Sequence, residues 1–72
     1  MEQEIKTLLK EQGFSATKSR MIVLNAVLSN QPATVQQLVS ALPSIDRATV
    51  YRTIQLFEDL GIAKKVYTGF KY

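Results

Sequence analysis

The 72 residues, 46% hydrophobic and 21% charged, describe a single small domain over 1–72 of ordinary globular composition, too short to hide a second core and too apolar to stay disordered. The chain has no cysteine and no histidine, which removes disulfides, the usual transition-metal ligands and most nucleophile–base pairs, so an enzyme is not expected. The net charge of +3 is uneven, because Lys6, Lys10, Lys18 and Arg20 balance Glu2, Glu4, Glu11 and Asp46, and the whole excess falls in residues 47–72. A basic C-terminal third suits a polyanion. The longest aliphatic run covers only residues 21–24, and the start, Met-Glu-Gln-Glu-Ile-Lys, is acidic where a secretory signal is basic, so the expected location is cytoplasmic.

Four helices follow in chain order, each with apolar residues at a period near 3.6 and with recognisable ends. The first covers residues 2–12, with Ile5, Leu8 and Leu9 on one side and two acids in its opening turn, and Gly13 stops it. Thr17 caps the second, 18–28, whose two apolar lines, Met21 with Leu24 and Leu28, and Val23 with Val27, mark a buried central helix. After an Asn30-Gln31-Pro32-Ala33 loop, Thr34 caps a third helix over 35–42, bearing Val35, Leu38, Val39 and Leu42, which Pro43 cannot continue. Asp46 caps the fourth, 47–60, closed by Gly61 in the position past its end. Two helices joined by so short a turn form a helix-turn-helix candidate. Beyond Gly61, strand formers from about residue 62, a Thr68-Gly69 turn and Phe70-Lys71-Tyr72 read as a hairpin that the sequence cuts short at 72. The expected fold class is mainly α with a small β-hairpin, a winged helix-turn-helix. Its expected core is Ile5, Leu9, Leu24, Val27, Leu38, Val39, Val50, Ile54 and Phe57.

The fourth helix carries the chemistry. On a helical wheel Val50, Ile54, Phe57 and Leu60 share one side, and Ala48, Tyr51, Arg52 and Gln55 project together from the other. Arginine can bond the O6 and N7 of guanine bidentately, glutamine the N6 and N7 of adenine, and an alanine or an aromatic edge can pack on a thymine methyl. Tyr51, Arg52, Ala48 and Gln55 are therefore the candidate base contacts, with Tyr51 weighing most, since a bulky aromatic facing water invites a partner. Arg47 opens this reading end. Lys18 and Arg20 in the first turn of helix two either clamp phosphate or are solvated; Thr49 either packs or bonds a phosphate. Lys64, Lys65 and Lys71 lie on or beside the expected wing, where they either contact phosphate or the minor groove or are solvated. Glu58 and Asp59 disfavour DNA at the far end of the helix. A protein-interaction module that uses Tyr51 and Arg52 on a protein partner is the rival reading.

The run Asp46-Arg47-Ala48-Thr49-Val50-Tyr51-Arg52-Thr53-Ile54, continuing to Leu60-Gly61-Ile62-Ala63, resembles the signature of the ferric uptake regulator family, whose recognition helix opens on an Ala-Thr-Val-Tyr-Arg core. Upstream, Gly13-Phe14-Ser15-Ala16-Thr17-Lys18-Ser19-Arg20 looks like the family's approach to helix two, with two departures: Ser15 stands where a minor-groove lysine is common, and Ser19 where proline is. The resemblance implies a dimeric bacterial transcription regulator, often a repressor, responsive to a metal or to stress. Its N-terminal winged helix binds double-stranded DNA, with Tyr51 and Arg52 on bases and Arg20 on the backbone. It also implies that metal ions bind a C-terminal domain beyond Tyr72, so that no metal or other cofactor is expected in residues 1–72. Self-association of these residues alone is expected to be weak, with no membrane partner.

Overall fold

The computed structural model describes residues 2–64. Four helices make up the described chain: α1 (Glu2–Glu11), α2 (Lys18–Ser29), α3 (Val35–Ala41) and α4 (Arg47–Asp59). Each start agrees with the sequence reading and each end lies within one residue of it.

Local chemistry explains these boundaries. Glu2 and Glu4 lie in the first turn of α1 and Lys10 in its last, each matching the helix dipole. Thr17 accepts the Arg20 amide at 3.2 Å, and Thr34 accepts that of Gln37 at 3.0 Å while the Gln37 side chain accepts the Thr34 amide at 2.9 Å, a reciprocal capping box. Asp46 accepts the Thr49 amide at 3.1 Å. The C-termini of α1 and α4 share one device. Gly13 and Gly61 take φ of 84° and 76°, the left-handed region that side chains resist. The amides just beyond them then reach back into the helix, Phe14 to the Leu9 carbonyl and Ile62 to the Phe57 carbonyl, both at 2.8 Å.

α2 is the centre of the packing. Met21, Val23, Leu24, Ala26 and Val27 are buried on it, and it packs against both α3 and α4, which also pack on each other. The core closes with Leu9 from α1, Leu38 from α3, and Val50, Ile54 and Phe57 from α4. Of the expected core, Ile5 and Val39 are only half-buried. Ile5 lies on the rim of an open apolar groove it shares with Leu24, Val27 and Phe57. Val39 stands about 100° round the helix from the fully buried Leu38, which places it at the edge of the buried side of the short α3.

The strand expected from about residue 62 does not begin there. The Ile62 and Ala63 amides both bond the Phe57 carbonyl, at 2.8 and 3.1 Å, so these residues complete the end of α4, and Lys64 follows in irregular backbone. Among the described residues no strand forms, apart from a lone β-bridge residue at Thr34. The remainder of the expected wing, with Lys65 and Lys71, lies outside the described residues. No described helix is long and apolar enough to cross a membrane.

Candidate nucleic-acid interface

The geometry of α4 starts from its cap. Asp46 receives both the Thr49 hydroxyl, at 2.6 Å, and the Thr49 amide, which ties the side chain of the first turn to the backbone that starts it. These two bonds, the hydroxyl first, hold the Asp46 carboxyl below the usual aspartate range, with a smaller contribution from the Arg52 charge. A helix that must present side chains at a fixed angle gains from a start fixed in this way.

The buried stripe then sets the orientation of the helix. Val50 and Phe57 are fully buried and Ile54 nearly so, which leaves the opposite face outward, with Tyr51 46% exposed. Ala48, Arg52 and Gln55 are exposed beside it. The four candidate base contacts thus share one outward surface, the arrangement the wheel predicts.

Their engagements differ. Gln55 donates to the Asp59 carboxylate at 3.0 Å, one turn on, and Arg47 donates to Gln36 of α3 at 3.0 Å. Thr49 is half-buried, and its hydroxyl proton is directed at Asp46, so bonding a phosphate oxygen would require it to change partner. Tyr51 and Arg52 have no hydrogen bond to any described residue and face solvent with their full bonding capacity.

Beside α4 lies a cleft of about 310 Å³, bounded on the other side by the connection into α2 and lined by Phe14, Thr17, Arg20, Arg52 and Thr53 among others. Arg20 is half-buried and organised in it: the guanidinium donates to the Ser15 carbonyl at 2.7 Å and lies over the Phe14 ring, 5.7 Å from its centroid. Four of its five N–H donors remain. Lys18 and Lys64 are exposed, and neither has a partner among the described residues.

Thr53 is the residue that sequence reasoning missed. It is 5% exposed, lines the cleft, and its hydroxyl has no hydrogen-bond partner among the described residues. Its position on the wheel, between Phe57 and Leu60, was the available signal, because a hydroxyl inside an apolar stripe needs a reason to be there.

No solved structure matches the chain. The Ala-Thr-Val-Tyr-Arg run opens a capped helix directed outward, two turns before a glycine-closed end. A family model described as ferric uptake regulator family matches residues 11–71, the whole span from the end of α1 through this helix and beyond it. On that match, which covers most of its length, the chain belongs to the ferric uptake regulator family.

Proposed function

We propose that this chain is the reading head of a bacterial metal- or stress-responsive transcription regulator, which binds double-stranded DNA sequence-specifically with α4 in the major groove. One observation carries the reading: the outward face of α4 ends in an exposed Tyr51 and an Arg52 with no hydrogen bond to any described residue, held at fixed angle by the buried Val50, Ile54 and Phe57 stripe and by the Asp46 cap. A helix fits the major groove, and a guanidinium and a phenol near its N-terminus suit base edges. Membership of a regulator family supports the same role, and neither the residue types nor the family favour an enzyme.

In this reading Tyr51, Arg52, Ala48 and Gln55 contact bases, and Arg20, Lys18, Arg47, Thr49, Lys64 and Lys65 contact the backbone. The Gln55–Asp59 bond uses one of the two Gln55 amide donors and leaves the other donor and the amide oxygen for a base. The winged-helix architecture and a cytoplasmic location belong to the same proposal. So does weak self-association of these residues.

The metal ions to which the family's name refers find no donor set in this chain. It has neither histidine nor cysteine, and no three carboxylates come together among the described residues. Residues 1–72 therefore act in this reading by binding DNA, with no metal step of their own.

Selection of binding sites from random duplexes tests the proposal. Recovery of a defined sequence, bound more tightly than scrambled duplexes at one salt concentration, is the expected result. Salt-insensitive capture of a protein with no affinity for duplex DNA would establish the rival interaction module instead.

A further inference from the structure

The charge tally along the sequence leaves residues 1–46 neutral, but folding redistributes those charges. A second cleft, of about 560 Å³, opens between α1 and the connection that follows it, lined by Lys6, Lys10, Gly13, Phe14, Ser15 and Ala16. Phe14 belongs to both clefts, and Ser15, whose carbonyl anchors Arg20, belongs to the second. The two clefts thus adjoin across the Phe14 ring. Three cations, Lys6, Lys10 and Arg20, line them away from α4, Arg52 stands on the α4 wall, and among the described residues no carboxylate lines either cleft.

We infer that this pair of clefts is a backbone track, in which Arg20 and Thr53 hold one DNA phosphate beside α4 and Lys6 and Lys10 of α1 hold further phosphates beyond Phe14. The inference rests on the DNA-binding reading above and extends it to α1, which that reading leaves without a role. A helix about 10–12 Å across fills a major groove about 12 Å wide, so whatever lies immediately beside the helix meets the groove's phosphate wall. The first cleft is the space beside α4. The Thr53 hydroxyl, which has no partner among the described residues and belongs to a residue that lines the cleft, supplies a neutral donor within it, and Arg20 a charged one already held in place by Phe14 and Ser15. Lys6 and Lys10 are one helical turn apart and share a face, so both ammonium groups serve the same side of α1. Neither lysine has a partner among the described residues. Such contacts fix the register of α4 on the duplex and add affinity without reading sequence.

The test measures affinity for a selected duplex and its scrambled counterpart across a salt series. Lys6→Gln with Lys10→Gln should reduce the slope of log affinity against log salt by about 1.8, about 0.9 for each phosphate lost, with the selected-to-scrambled ratio unchanged. Lys10→Gln alone, at an exposed position with no partner among the described residues, should give about half of that reduction. Thr53→Val, which keeps the shape and loses the donor, should weaken both duplexes about tenfold and leave the slope unchanged. Trimming the selected duplex on the side that lies over α1 should abolish the difference between wild type and the lysine variants. If the wild type reads its selected site while the lysine variants keep its salt slope, the track is overturned and the reading by α4 stands. A changed selected-to-scrambled ratio in the lysine variants would likewise overturn it, by making α1 a reader of bases. Loss of all duplex binding by the wild type would overturn both.

Discussion

Arg52 lies at the boundary between reading bases and holding phosphate, because it projects from the outward face of α4 and also lines the cleft that contains Arg20. Substitution by alanine separates the cost to folding from the cost to binding. The guanidinium has no hydrogen bond to any described residue, so removing it leaves no buried partner unsatisfied. Its charge contributes only weakly at Asp46, after the two Thr49 bonds. Stability should therefore change by no more than about 0.5 kcal/mol, a melting shift within about 4 °C for a domain of this size. If Arg52 forks onto a guanine, Arg52→Ala loses about 1–3 kcal/mol on the selected site, roughly 5- to 150-fold, and relaxes preference at one base position. Arg52→Lys decides the question, since lysine keeps the charge and loses the fork. Base reading predicts that lysine rescues little of the discrimination. Anisotropy titrations of both variants on selected and single-base-altered duplexes, at several salt concentrations, provide the measurement. Full recovery of affinity and preference by Arg52→Lys, together with a slope lowered by about 0.9 in Arg52→Ala, would refute base reading and make Arg52 a phosphate contact.

Phe57 is fully buried where α4 meets the core, so Phe57→Ala should cost about 3–5 kcal/mol in a denaturant titration. A 72-residue domain has only roughly 4–11 kcal/mol in all, so this one change should remove about a third or more of its stability. Gly61→Ala meets no neighbouring atom within 4 Å, so its cost is the backbone one alone, about 1 kcal/mol and a melting point lower by about 4–8 °C. Because the Thr49 hydroxyl and amide lower the Asp46 carboxyl below its unfolded value, the cap's contribution is complete above the usual aspartate pKa of about 3.9. It is lost as pH falls through the lower folded value. Asp46→Ala should flatten that part of the stability–pH curve, and an unchanged acid limb would show that the Thr49 bonds do not hold the carboxylate.

The sequence by itself determined what depends on neighbours within about a turn. Thr17, Thr34 and Asp46 each cap the helix they precede, and Gly13 and Gly61 each end one through positive φ. These interactions span three to five residues and can be read from residue type alone. The same holds for the outward direction of Tyr51 and Arg52, since a stripe as apolar as Val50, Ile54 and Phe57 can face only the core. The end of α4 is a partial exception, because Ile62 and Ala63 look like strand formers, but their amides are already drawn back to the Phe57 carbonyl. Only the tertiary structure decided which distant residues share a surface. Lys6 and Lys10 adjoin Phe14, Arg20 faces Arg52 across one cleft, and Thr53 opens on that cleft from inside the apolar stripe. The angles at which α2 packs on α4 and the α1–α2 connection folds back set those adjacencies. No local periodicity encodes such angles, because they follow from how whole faces of side chains fit together.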